Sequence, residues 1–159
     1  MVRKGFVLVL GLILAVALYA LLGWLEPSLV LLFNTFSILV MVTAIVYGEL
    51  DGAIMGSCAG LAQDALSYGV FGLAGLSLTI SGFLAGWLSR KLDVHTFYKR
   101  TVFVFILSLG QLIIWAFFYF LIFRKSLLYS QPLLYLQPLA TALLAAVLIK
   151  LVRKVNPTV

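Results

Sequence analysis

The sequence is poor in charge, in cysteine and in histidine, and each shortage excludes a class of protein. Only 10% of its 159 residues are charged, against about a quarter in ordinary soluble domains. The single cysteine, Cys58, cannot form an internal disulfide or a multi-cysteine metal site. The single histidine, His95, has no local partner for a metal-ligand pair or for a Ser/His/Asp set. An enzyme is therefore the least favoured class, and we expect no metal and no cofactor.

What is abundant instead is hydrophobic sequence, which makes up 64% of the chain. A water-soluble fold of this size could not bury so much apolar surface, whereas a bilayer core needs about 20 apolar residues for each crossing helix. Six such segments fill the chain, at about 6–25, 29–47, 48–68, 73–88, 102–123 and 133–152. We therefore predict an all-α polytopic membrane protein, with one integral membrane domain over residues 1–159 and six transmembrane helices.

Prolines and glycines mark the ends of several segments. Glu26-Pro27 ends the first helix, because proline disfavours helix at the residue before it and cannot continue the hydrogen-bond ladder. The paired glycines between Tyr68 and Gly72 predict a tight turn before the fourth helix. Pro138 predicts a kink or a late start of the sixth helix.

Lysine and arginine are unevenly distributed between the two ends of the predicted bundle. With a cytoplasmic N-terminus and six alternating spans, only Arg124 and Lys125 of the eleven Lys and Arg residues lie outside. The nine inside are Arg3, Lys4, Arg90, Lys91, Lys99, Arg100, Lys150, Arg153 and Lys154. Because basic residues collect on the cytoplasmic side, we predict that both termini are cytoplasmic. This placement at segment ends explains the net charge of +6 without a nucleic-acid partner.

Four of these basic residues flank the most polar loop of the chain: Arg90, Lys91, Lys99 and Arg100. Clusters of this kind bind the anionic head groups of membrane lipids. A cytoplasmic protein partner is the second interpretation, and the sequence leaves both open.

A ladder of glycines runs through the third segment at every fourth position: Gly48, Gly52, Gly56 and Gly60. Such a row forms a groove about 18 Å long on a helix, and small residues let two membrane helices approach closely. Gly82 and Gly86 offer a matching small pair on the fourth helix. Three interpretations stay open: packing within the chain, docking of another membrane protein's helix, or lining of a small-molecule path.

The next step of the ladder is Asp64, an acid inside an apolar segment. It lies about 24 Å beyond Gly48 along the helix axis, below the outer interface, where an ionisable group is a functional candidate. It could bond the glycine turn at the start of the fourth helix, contact a partner, or serve a proton or substrate. Each step of four residues rotates by about 40° beyond a full turn, so we expect the ladder and the acid to face different neighbours.

Gln111 in the fifth helix is expected to form an interhelical hydrogen bond.

A family resemblance rests on residues 52–92, which read GAIMGSCAGLAQDALSYGVFGLAGLSLTISGFLAGWLSRKL. A glycine-rich helix, the motif G-L-x-x-D, a glycine turn and a helix ending in Arg and Lys follow one another here, and the segment resembles the rod-shape-determining MreD family. The residues that fit are Gly60, Leu61, Asp64, Gly72, Gly82 and Gly86. Chain length and span number fit the family over the whole sequence.

The resemblance implies a non-enzymatic scaffold subunit of the bacterial cell-elongation machinery, in the cytoplasmic (inner) membrane. Its implied partners are membrane lipids, an MreC-like protein, the MreB filament system, and the polymerase and transpeptidase that make peptidoglycan. The MreD family is also similar in architecture to the S components of energy-coupling-factor transporters. The alternative is therefore a vitamin-binding S component, which should have a polar, aromatic-lined pocket on its outer side. The outer loops here are short and poor in polar groups, which favours the scaffold.

Overall fold

The structure, a computed structural model, describes residues 2–67, 71–92, 96–124 and 132–155, and the regular elements in these ranges are all helical. They are α1 (Val2–Leu25), α2 (Pro27–Leu32), α3 (Thr35–Tyr47), α4 (Glu49–Leu66), α5 (Leu73–Lys91), α6 (Phe97–Phe123), a 3-10 helix (Pro132–Tyr135) and α7 (Gln137–Val155). The predictions on His95, on Tyr68 and Gly69 and on Lys125 fall outside the described residues, as do the side chains of Arg3, Lys4, Arg153 and Lys154.

Three helical stretches are long and apolar enough to cross a membrane: Gly5–Leu25, Pro27–Tyr47 and Phe97–Phe123. Gln137–Val152 is a shorter apolar helix. α4 and α5 are less apolar because each contains three glycines together with charged residues, which are acids in α4 and Arg90 and Lys91 in α5. Length and composition thus support three of the six predicted spans, and the other three remain a prediction.

The second predicted span is divided into two helices at Phe33 and Asn34. The Asn34 side chain caps α3, because its Oδ1 accepts a hydrogen bond from the backbone N–H of Ser37 at 3.0 Å. This bond satisfies one of the N–H groups that a helix start leaves without an intrahelical partner. The hydroxyl of Thr35 donates to the carbonyl oxygen of Ala15 at 3.2 Å, which ties the break to α1.

The start of α6 differs from the predicted one, whereas the start of α7 agrees with the late start predicted from Pro138. α6 begins at Phe97, five residues before the predicted start at 102. α7 begins at Gln137, after the 3-10 helix, so Pro138 stands in its first turn. Proline is well tolerated there, because the first-turn N–H groups have no helical acceptor.

α3 lies at the centre of the bundle and is buried on two sides. One side places Phe36 and Val40 against Leu78 of α5. The other side places Met41 in a cluster with Ile149 of α7. α1, by contrast, packs through one stripe, and only 6% of its span is buried.

The helices alternate in direction, so two ends of the bundle can be distinguished. We call the end that carries Arg90, Lys91 and Lys99 the basic end; there α5 ends and α4 and α6 begin. At the opposite end α4 and α6 finish and α5 and α7 start.

Candidate functional site

The glycine ladder of α4 lies against the backbone of α5 in the same chain. A Cβ atom built on Gly52 would stand 2.5 Å from the carbonyl oxygen of Gly82. One on Gly56 would overlap the backbone of Leu78, and one on Gly60 would overlap that of Gly75. Because atoms already occupy the space of these missing side chains, a partner helix could enter this groove only if α4 and α5 separated.

The two remaining glycines of the predicted set lie where the α4–α5 pair reaches the basic end. A Cβ atom on Gly86 would overlap the backbone of Glu49. Gly48 connects α3 to α4 with φ +107°, a value that side-chain-bearing residues rarely adopt. A side chain at Gly48 would also meet the guanidinium of Arg90. Gly48 therefore forms the corner between two helices.

The carboxylate of Asp64 caps the start of α5. Its Oδ2 accepts hydrogen bonds from the backbone N–H groups of Gly72 at 2.9 Å and Gly75 at 3.0 Å, and its Oδ1 accepts one from Ala74 at 3.1 Å. Gly72, the N-cap residue, has φ +96° and no side chain to cap the helix itself. An acid on the neighbouring helix therefore satisfies its N–H groups, and it faces the positive end of the α5 dipole.

Asp64 and the ladder contact the same helix, so the expectation that they face different neighbours is wrong. The i+4 row of glycines is inclined to the α4 axis, and a helix that crosses α4 at an angle can follow that row. α5 does so, and its first turn meets both Gly60 and Asp64.

Gln111 of α6 forms a hydrogen bond to another helix. Its Oε1 accepts a hydrogen bond from the hydroxyl of Ser37 on α3. Both side chains are buried. The backbone N–H of Ser37 donates a hydrogen bond to Asn34 Oδ1 beside them. Polar groups of α3 and α6 therefore satisfy one another inside the bundle.

An ion pair and a cation–π contact lie at the basic end. Arg90 Nη1 lies 3.0 Å from Glu49 Oε1, which joins the end of α5 to the start of α4. The Nζ atom of Lys91 lies 3.9 Å from the centre of the Trp87 ring. The side chains of Arg90, Lys91 and Lys99 are exposed.

The structure corrects the prediction that Arg100 contacts lipid head groups or a cytoplasmic partner. The side chain of Arg100 is buried, with only 4% exposed. The sequence placed Arg100 at the edge of a polar loop. Since α6 begins at Phe97, Arg100 instead lies within the first turn of a helix. The side chain of Arg100 is thus buried, whereas that of the adjacent Lys99 is exposed.

The structure also contains a cavity of about 530 Å³ at the end of the bundle opposite the basic end. Asp64 and Gln111 line it, so it brings together both intramembrane polar residues named from the sequence. Further polar side chains around it are Asn34, Ser37, Gln63, Ser77, Gln137 and Thr141. The prediction that this end is poor in polar groups considered the loops, whereas the polar groups come from the helices.

Aromatic side chains form one wall of the cavity. The rings of Trp115 and Tyr119 stack with centroids 5.3 Å apart at 22°. Phe123 follows, with its centroid 4.6 Å from that of Tyr119. In the sequence, these three residues follow Gln111 at intervals of four. This spacing places all four side chains on one face of α6 and could have predicted the aromatic wall.

The chain matches the model of a protein family over nearly its whole length. The model described as rod shape-determining protein MreD matches residues 2–155. The comparisons with curated proteins and with solved structures gave no match. The matched range runs from the start of α1 to the end of α7 and includes the glycine ladder and Asp64. The chain belongs to the MreD family.

Proposed function

We propose that the chain is a non-enzymatic scaffold subunit of the cell-elongation machinery in the bacterial inner membrane. The observation that carries this is the family match over residues 2–155, since the family acts in rod-shape determination. As a scaffold, the protein docks an MreC-like partner and links MreB filaments to the enzymes that make peptidoglycan. This role needs no catalytic group, because the chain contributes binding surfaces.

We place the docking surface on the side of α4 that faces away from α5. The ladder side is filled, but the other side exposes Leu50 and Ile54, at 70% and 64%. Cys58 is exposed on the same helix. With little hydrophobic drive between helices in a bilayer, a stripe of this kind binds a partner helix by close packing.

Cys58 makes the test direct, because it is the single cysteine of the chain. A photo-crosslinker attached to this thiol in growing cells should capture an MreC-like protein. The matched control carries Cys58→Ser with Phe117→Cys, which moves the label to an exposed site on α6. If the control captures the partner and Cys58 does not, the docking surface is misplaced. If neither label captures an elongation protein, the scaffold role itself is wrong.

The alternative, a vitamin-binding S component, has one observation in its favour. The cavity at the end opposite the basic end has the polar and aromatic lining that such a subunit needs. We place this alternative second because the family match is to MreD. Co-purification of an ATP-hydrolysing coupling module, together with vitamin uptake that depends on the chain, would reverse this order.

A further inference from the structure

The cavity at the end opposite the basic end combines three properties that together select a kind of ligand. Its volume of about 530 Å³ falls in the range of small-molecule sites, roughly 300–1,000 Å³. The ends of α4 and α6, the starts of α5 and α7, and parts of α1, α2 and α3 enclose it. The walls therefore come from helices, which hold side chains more firmly than loops do.

The charge of the walls selects against an ionic ligand. Among the described residues that line the cavity there is no lysine, arginine or histidine. The one acid, Asp64, has both oxygens engaged by backbone N–H groups of α5. An anion would find no positive side chain here, and a cation would have to compete with three N–H groups of α5 for Asp64, so a charged molecule would be buried without full compensation, which is costly.

The hydrogen-bonding capacity of the walls is only partly used. Ser37 and Gln111 bond each other. Thr141 and Gln63 also line the cavity, and their Oγ1 and Oε1 atoms are buried and have no hydrogen-bond partner among the described residues. The Thr141 side chain is only 1% exposed. Buried polar atoms in folded proteins nearly always have partners, and Gln63 Oε1 requires one with an N–H or O–H group.

The aromatic wall adds a preference for a flat ring. Trp115 and Tyr119 stack on each other and both line the cavity. Aromatic side chains favour offset-stacked and edge-to-face contacts with other rings. An acyl chain could fill the space but would leave Thr141 and Gln63 unsatisfied.

We propose that this cavity binds an uncharged, ring-bearing small molecule that carries at least one N–H or O–H donor. Such a site goes beyond the scaffold role and does not rest on it. The protein would then bind a small molecule at the end of the bundle away from the basic residues.

The test uses the purified full chain in detergent and equilibrium dialysis with two pairs of probes. Each pair shares a ring and differs in charge: adenosine with adenosine monophosphate, and nicotinamide with nicotinate. At least one neutral probe should bind, about tenfold or more tightly than its anionic counterpart. Thr141→Val, which removes only the hydroxyl, should weaken that binding about tenfold. Trp115→Leu, at a partly exposed site, should weaken it as well.

Ser81→Ala is the matched control, because the hydroxyl of Ser81 is also buried without a hydrogen-bond partner among the described residues, and Ser81 does not line the cavity. This variant should bind the neutral probe as tightly as the unaltered protein does. The inference is overturned if neither neutral probe binds, if neutral and anionic probes bind equally, or if Ser81→Ala weakens binding as much as Thr141→Val. Native mass spectrometry that finds only phospholipid in the protein as purified would also overturn it.

Discussion

Gly75 of α5 donates its backbone N–H to the carboxylate of Asp64 at 3.0 Å. The same residue is the point where the backbone of Gly60 approaches α5 too closely for any side chain between them. A close contact and a buried charge–dipole interaction therefore meet at one position. The glycines bring α4 near enough for the acid to reach the first turn of α5, and the acid fixes where α5 begins.

Asp64→Ala should destabilise the protein more than Asp64→Asn. Alanine leaves three N–H groups of α5 without their acceptor, and we expect a loss of about 3 kcal/mol. The Asn oxygen can take the place of Oδ2 and keep two of the three bonds, so we expect a loss of about 1 kcal/mol. Unfolding of the purified protein in detergent measures both.

Glu26→Gln is the control for this pair, because Glu26 is exposed and bonds only the nearby hydroxyl of Ser28 among the described contacts. It should leave stability unchanged. Equal stabilities for Asp64→Ala and Asp64→Asn would contradict the cap. Loss of rod shape in Asp64→Asn cells with normal protein levels would show that Asp64 has a role beyond the cap.

Gly56→Ala should destabilise the protein although alanine is the better helix former. The new methyl group would overlap the backbone of Leu78, which cannot move as a flexible side chain could. Overpacking costs about 1–3 kcal/mol, which exceeds the gain of up to about 1 kcal/mol in helix propensity. Gly110→Ala on α6 meets nothing within 4 Å, and there we expect only the gain. Detergent unfolding that shows equal effects at both positions would contradict the packing.

The sequence predicted the helical segments because their apolar runs are long and end at prolines, glycines or charges. It missed the break before α3, because Asn34 lies within the apolar run that was predicted as one helix over about residues 29–47. The structure uses Asn34 as an N-cap. An asparagine can fill either role, and the contact of Thr35 with Ala15 of α1 reinforces the break only after the chain has folded.

The candidate site was predictable only in part, because its residues meet only when separate helices pack together. Asp64 and Gln111 stand out because polar residues are rare in such segments, but their partners come from other helices. The cavity joins Asn34, Gln63 and Thr141 from separate parts of the chain, and no local pattern reveals that these helices enclose one space. Arg100 was misplaced because the start of α6 was set five residues too late.

Ser37 and Gln111 should show energetic coupling, since each satisfies the other inside the bundle. Ser37→Ala, Gln111→Leu and the double variant complete a mutant cycle with the unaltered protein. We expect a coupling energy of about 0.6 kcal/mol, the typical value for interhelical hydrogen bonds in membranes. Unfolding free energies of the four proteins provide it, and strictly additive losses would show that the hydrogen bond contributes nothing to stability.

The orientation of the bundle can be tested with single cysteines at its two ends, in a Cys58→Ser background. Leu92 follows Arg90 and Lys91 at the basic end, and Glu26 follows α1 at the opposite end; both are exposed. Because basic residues stay in the cytoplasm, an impermeant maleimide added to intact spheroplasts should label Glu26→Cys. It should label Leu92→Cys only after the membrane is permeabilised. The reverse pattern would place the basic end outside, and labelling of both without permeabilisation would mean that the two residues lie on the same side.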